Sequence, residues 1–187
     1  MIDDNTYFEY LKSRTLFGLF YRRFWLYPML SRYIKCPVLD VGCGLGDMLK
    51  FCRNAIGVDI NHKTIEWCKA KGLDVRLIQN DILPFNAGTF SSIVLDNVLE
   101  HIAAPKPLLS EIHRVLKSEG RMVVGVPGMR GYQTDMDHKV FYDENSLIKT
   151  FEESGFICKK LFHMPVRSIW LNQHLRQYCI YGVFGKR

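Results

Sequence analysis

The chain has 187 residues, 48% of them hydrophobic and 24% charged, with six cysteines and a formal net charge of +6. That length and balance fit one domain with a real core and exclude a disordered or low-complexity chain. The longest apolar runs are about six residues, as over 16–21, far short of a membrane span, and the opening residues lack the basic head and apolar centre of a secretory leader.

The charge is uneven. Residues 1–36 carry six Lys/Arg against three acids, and residues 154–187 carry six Lys/Arg and no acid. Such flanks are either solvated helix faces or surfaces for an anionic substrate, membrane or nucleic acid. The cysteines form no Cys-x-x-Cys pair and no metal-like spacing with histidine. Free thiols in a reducing cytoplasm, and no bound metal, are the expectation.

In chain order, residues 6–34 read as helical, with Thr6 and Glu9 spaced as a capping box. Gly18 and Pro28 break the pattern into two or more short helices. Ten aromatics fall here, among them Tyr7, Phe17, Phe20, Tyr21, Phe24 and Trp25. They suit helices packed on a sheet, a lid over a site, or an interfacial anchor. From Pro37 the pattern alternates. Strand 37–41 leads through Gly42, Gly44 and Gly46 into helix 47–54. Strand 55–60 precedes helix 63–71, capped by Asn61. Strand 75–80 ends at Asp81, and strand 92–97 is a continuous apolar run of the kind covered on both faces. Helix 106–117 has helical apolar spacing, strand 121–126 stops at Pro127-Gly128, and 129–142 reads as a long functional loop. Helix 144–154 closes at Gly155. Strands near 156–163 and 178–184 end the chain. A single α/β domain is expected over 1–187, with 1–36 as a helical cap or lid and 37–187 as the core.

Ligands of open α/β sheets bind beyond the carboxyl ends of the strands. Those ends carry Asp40 and the glycine loop, then Asp59-Ile60, Asn80-Asp81-Ile82, and Asp96-Asn97 with Glu100-His101 just beyond. Glycine lets the backbone turn sharply and lets a ligand approach it. An acid closing the second strand suits the two hydroxyls of a ribose, although a helix-cap role also fits Asp59 alone. Asp81 can accept from an exocyclic amine, with Ile82 as an apolar face. No Gly-Lys-Ser/Thr follows the glycines, which excludes a P-loop.

The segments VLDVGCGLG (38–46), GVDI (57–60), NDILPF (80–85), VLDNVLEHI (94–102) and EIHRVLKSEG (111–120) occur in that order. Together they resemble the class I S-adenosylmethionine-dependent methyltransferases, in particular the type 11 small-molecule branch, over roughly residues 37–127. The resemblance implies a Rossmann-like, doubly wound seven-stranded sheet with the last strand antiparallel. It also implies S-adenosylmethionine as cofactor and S-adenosylhomocysteine as product. In such enzymes the loop matching Gly42, Cys43 and Gly44 lies under the methionine part. The acid matching Asp59 holds the ribose, Asp81 and Ile82 match the adenine pair, and Asn97 and Val98 match residues facing the sulfonium. Two places depart from the family: Lys117-Ser118-Glu119-Gly120 replaces Lys-Pro-Gly-Gly, and Phe90-Ser91 replaces Phe-Asp.

The methyl acceptor is less legible. A hydroxyl acceptor needs a base, and the candidates are His138, with Asp137 or Asp135 to orient it, and His101. Tyr21, Arg22, Arg23 and Tyr142 are the candidate acceptor contacts. The basic, aromatic flanks suggest a small or lipid-linked, anionic glycan acceptor and peripheral contact with an anionic inner membrane face. The amino-directed Asn/Asp-Pro-Pro-Tyr/Phe motif and the Pro-Cys nucleophile are absent, which argues against nucleic acid. RNA methylation and a non-catalytic interaction module remain as alternatives.

Overall fold

The computed structural model describes residues 4–13 and 15–187; the leader reading at residues 1–3 lies outside them. Seven strands form one mixed sheet in the order β3-β2-β1-β4-β5-β7-β6. These are β1 (Val38–Val41), β2 (Ala55–Asp59), β3 (Val75–Leu77), β4 (Phe90–Asp96), β5 (Leu116–Pro127), β6 (Phe156–Met164) and β7 (Cys179–Lys186). The first five pair in parallel, and β7 runs antiparallel to β5 and β6. The expected seven-stranded sheet with a reversed last strand is what forms.

Alternation along the strands divides the core in two, because successive side chains point to opposite faces. On one face Ile93, Leu95, Met122, Val124 and Val126 meet Leu109, Ile112 and Val115 of α6 (Lys106–Val115) and Phe151 of α8 (Glu144–Glu152). On the other, Val38, Val94, Val123 and Tyr181 meet Met48 and Leu49 of α4 (Asp47–Phe51) and Ile65 and Cys68 of α5 (His62–Ala70). Both faces are covered, so the central strands are continuous apolar runs.

The N-terminal segment folds as α1 (Asp4–Lys12), α2 (Leu16–Tyr21), a π-helical turn (Arg22–Leu26) and α3 (Tyr27–Leu30). Thr6 lies inside α1 rather than capping it, since the helix already starts at Asp4. Thr15 caps α2 instead, accepting from Gly18 N at 3.2 Å. Pro28 sits in the first turn of α3, where its missing N–H is harmless. The first helix of the segment is tied to the rest of the fold. Asn61 Nδ2 donates to Asp4 O at 3.0 Å, Phe8 packs edge-on to Trp67, and Arg176 donates to Tyr10 Oη at 2.6 Å.

Two helices break the expected loops, α7 (Met129–Gln133) and α9 (Ile169–His174). Ser168 caps α9 by accepting from Leu171 N. Early in β5 the register jumps from Leu116 opposite Phe90 to Arg121 opposite Ser92, so residues 117–120 form a bulge in the strand. No helix among the described residues is long and apolar enough to cross a membrane.

Candidate active site

The glycine loop leaves β1 with positive φ at Gly42 (+73°), Gly44 (+51°) and Gly46 (+73°). At Gly42 a Cβ would also strike the Val98 side chain, so conformation and space both require glycine. Gly42 N and Cys43 N donate to Val58 O at 2.8 and 3.0 Å, hooking the loop onto β2. Asp59, at the end of β2, accepts from Gly44 N at 2.8 Å and Asn61 N at 2.9 Å. Burial raises its pKa while those amides oppose the rise. Asp40 lies buried beside the loop, its carboxyl pushed well up by burial and then by Asp96.

Beyond the strand ends, Ile60 and Ile82 are 67% and 63% exposed. Aliphatic side chains at these two positions offer apolar faces to a flat ring. Asn80, Asp81 and Asn97 hold φ of +55°, +59° and +57°, and non-glycine residues in this region concentrate at ligand sites. The open loop, the anchored acid and the exposed aliphatic pair fit the cofactor implied by the resemblance. Gly42, Cys43 and Gly44 would hold its methionine part, Asp59 its ribose, and Asp81 with Ile82 its adenine.

A cavity of about 300 Å³ lies under the N-terminal helices, walled by Tyr21, Arg22, Asn97, Glu100, His101 and His138 among others. Tyr7, Arg22 and Asn97 also line a cleft of about 60 Å³ against Gly42, Cys43 and Gly44, so cavity and cleft meet at these three residues. Arg22 is fixed there: its Nη2 donates to Asp96 Oδ2 at 2.7 Å and its Nε to Tyr27 Oη at 3.1 Å. The buried Tyr21 hydroxyl has no hydrogen-bond partner among the described residues, leaving it available to a ligand.

The cavity's chemistry gathers at the end of β4, in the single turn Leu99–His101, and in the segment after α7. Glu100 is 1% exposed, and neither carboxylate oxygen has a hydrogen-bond partner among the described residues. Burial, then Asp96 and Asp135, pushes its pKa up to about 8. His138 Nδ1 lies 2.9 Å from Tyr132 O, and its ring stacks on Tyr132. With Nδ1–H donating to that carbonyl, Nε2 keeps its lone pair. That Nε2 is 3.8 Å from Glu100 Oε1 and 4.0 Å from Asp135 Oδ2. His101 packs 4.7 Å from His138 between ring centres and sits 3.5 Å from Asp137 Oδ2. Burial, then His138, lowers its pKa. Lys139 N and Val140 N donate to Glu100 O, lashing the loop to the turn.

Donor atoms of Glu100, His101 and His138 all lie within 4.8 Å of one another. Donors around an ion with bonds near 2.0–2.1 Å stand roughly 3.3 Å apart. The trio could therefore hold a divalent cation only after closing inward, and the expectation of no metal has this cluster as its counter-candidate.

His138, His101, Tyr21 and Arg22 thus meet in one cavity. Two other candidates lie elsewhere. Arg23 points outward over the Phe51 ring, because the helix turns it away from Arg22. Tyr142 is 4% exposed within the core, where burial and then Glu100 raise its pKa. His138 is oriented by Tyr132 O rather than by Asp137, which faces His101 instead. Glu100 and Asp96 stand at a strand end already visible in the sequence, yet neither was singled out. Tyr181, whose hydroxyl donates to Asp96 Oδ1 at 2.7 Å, comes from the antiparallel strand and has no local signature.

Residues 39–124 match the family model described as a methyltransferase domain, type 11. An uncharacterised protein of Methanocaldococcus jannaschii, MJ1123, is 27% identical over 132 residues, covering 70% of this chain and 62% of that protein. The ubiquinone/menaquinone biosynthesis C-methyltransferase UbiE of Blochmanniella pennsylvanica is 27% identical over 143 residues, covering 66% and 56%. This chain therefore spans somewhat over half the length of these curated relatives. Among solved structures, an S-adenosylmethionine-dependent methyltransferase from Aquifex aeolicus aligns with a TM-score of 0.70 at 15% identity, covering 98% of each chain. One from Archaeoglobus fulgidus aligns at 0.66 and 20% identity, covering 90% of this chain and all of that one. At these identities the structures show the shared fold.

Proposed function

Because the chain belongs to the class I S-adenosylmethionine-dependent methyltransferases, in their type 11 group, we propose that it O-methylates a small or lipid-linked, anionic glycan acceptor. The observation that supports this reading is the pairing of His138 Nε2 with the partnerless Glu100 carboxylate on the cavity wall. A hydroxyl must lose its proton as it is methylated, and this pair is placed to take it. His138 accepts at Nε2 because Nδ1 is committed to Tyr132 O. In its ionised form, reached as pH rises through about 8, Glu100 then stabilises the imidazolium.

The bound cofactor supplies a methyl group that is already electrophilic, so the chain's work is to position, to exclude water and to move one proton. The helical cap covers the strand ends and supplies Tyr21 and Arg22. Arg176 places a cation on the cavity wall, whereas Arg22 there is paired with Asp96, and Arg176 suits a phosphate- or carboxylate-bearing acceptor.

Calorimetric titration with S-adenosylmethionine comes first, and no binding at millimolar cofactor defeats the enzyme reading. Methyl transfer is then assayed on hydroxylated acceptors with and without phosphate or a lipid tail. Transfer to an anionic hydroxyl acceptor, unaffected by chelators, supports the proposal. Turnover that is abolished by a chelator and restored by a divalent ion would replace the proton-accepting pair with a metal site.

A further inference from the structure

The roof of the cavity has two faces of opposite character. Gly18, Tyr21, Arg22 and Leu26 look inward onto the cavity. On the same eleven-residue stretch, 16–26, Leu16, Phe17, Phe20, Phe24 and Trp25 are 85%, 74%, 62%, 63% and 59% exposed. Phe20 and Phe24 touch each other, with ring centres 4.4 Å apart, and both stay more than half exposed. Scattered surface leucines need no explanation, but large aromatics crowded on one short stretch mark a contact surface.

Charge selects the occupant. No acid occurs from Tyr10 to Leu39, while Arg23, Arg32 and Lys35 are exposed in that stretch and Lys12 is paired with Glu9. An apolar helical face with basic neighbours and no acids matches the boundary of an anionic bilayer, with rings among the acyl chains and cations at the headgroups. A homotypic interface would bring this positive surface against itself, which charge disfavours.

We infer that the outer face of α2 and the following π-helical turn docks the chain on an anionic lipid bilayer. Phe17, Phe20, Phe24 and Trp25 enter the interface, and Arg23 meets the headgroups. Docking there places the cavity directly beneath the membrane-facing roof, so that an acceptor carried on a lipid reaches Glu100 and His138 without leaving the surface. This deepens the proposed acceptor class and rests on that reading for its purpose, although the docking itself does not.

The test uses the full chain with vesicles of phosphatidylcholine alone and of phosphatidylcholine mixed with phosphatidylglycerol. Co-sedimentation is expected with the anionic vesicles, falling as salt rises. The F17S/F20S/F24S variant should lose roughly tenfold or more of its vesicle affinity, and R23Q a smaller part. A blue shift of tryptophan emission on binding should disappear in W25F. Cofactor titration of each variant reports the fold independently, and these residues lie outside the cofactor and acceptor contacts. Equal binding to neutral vesicles, or no binding to either, overturns the proposal. So does unchanged affinity in the triple variant, which would move the contact to Ile169 and Trp170. A concentration-dependent dimer that the triple variant abolishes, without vesicle binding, assigns the face to a second copy instead. Failure of docking leaves cofactor binding and transfer to a soluble acceptor standing, and failure of those leaves docking standing.

Discussion

Arg22 reaches Asp96 across 74 positions of sequence, its Nη2 donating to Oδ2 at 2.7 Å. Asp96 Oδ1 meanwhile accepts from Tyr181 Oη at 2.7 Å and from Asn97 Nδ2 at 3.0 Å. One carboxylate therefore joins the helical cap, the end of β4 and the antiparallel β7. Gly125 makes room for it, since a Cβ there would meet both the Tyr181 ring and Asp96 Oδ1.

Removing one member of this ion pair should uncouple the cap. Side-chain exposures of 23% for Arg22 and 8% for Asp96 make the pair largely desolvated, and stranding one buried charge costs about 3 kcal/mol or more. R22M should lower the urea midpoint accordingly and weaken cofactor binding, because Arg22 lines the cleft over the glycine loop. The R22M/D96N double variant should recover much of the lost stability. Strictly additive losses would show that the two side chains do not act together.

The Glu100 carboxyl predicts how stability varies with pH. Its pKa rises from an ordinary 4.5 to about 8 in the fold, so the folded chain keeps a proton that the unfolded chain releases. The stability it contributes is fully present below about pH 4.5 and is lost as pH rises through about 8, at up to about 1.4 kcal/mol per unit. Asp40 and Asp59 are raised as well and slope the same way. E100Q should flatten the curve by Glu100's share, leaving the variant relatively more stable at pH 8–9. Parallel curves for the two proteins would mean that Glu100 is ionised and partnered in solution.

The position of the glycine loop at the end of β1 is legible in the sequence because it is local. Val38–Gly46 is one strand and its loop, and Asp59 closes a strand whose apolar run announces it, whereas Asp81 lies in a turn beyond the end of β3 at Leu77. The same locality explains what was not read. Asp96 gains its role only when Arg22 and Tyr181 arrive from opposite ends of the chain. Glu100 looked like one more polar residue beside His101 until burial left it without partners. Tyr142 reads as an acceptor contact in the sequence, but it is buried in the core. The short α7 and α9 lack the length that makes helical periodicity visible.

H138A should separate chemistry from binding. The ring is 8% exposed and stacks on Tyr132, so some loss of stability accompanies the change. Cofactor affinity should stay within about twofold, while turnover on a hydroxyl acceptor falls by roughly 10²–10³. If turnover persists, the proton leaves by another route. Turnover restored by added imidazole would identify the missing group as the proton acceptor.

Asp59 gives the sharpest contrast between what the fold needs and what the ligand needs. Its carboxylate is 6% exposed, and burial works against its charge. Two backbone amides, Gly44 N and Asn61 N, compensate for that burial. An asparagine in its place can face only one of the two with its oxygen, and its NH₂ then opposes the other. The lost hydrogen bond costs about 1–3 kcal/mol, but the substitution also removes a buried charge, so the net loss for D59N should stay below about 2 kcal/mol. Cofactor binding has no such relief. A ribose diol offers two donors, and a neutral amide with one oxygen can no longer accept both, so affinity should fall by roughly 10–100-fold. Calorimetric titration and urea denaturation on one preparation separate the two effects. A large stability loss with unchanged affinity per folded molecule would make Asp59 a loop anchor and return the ribose role to another group.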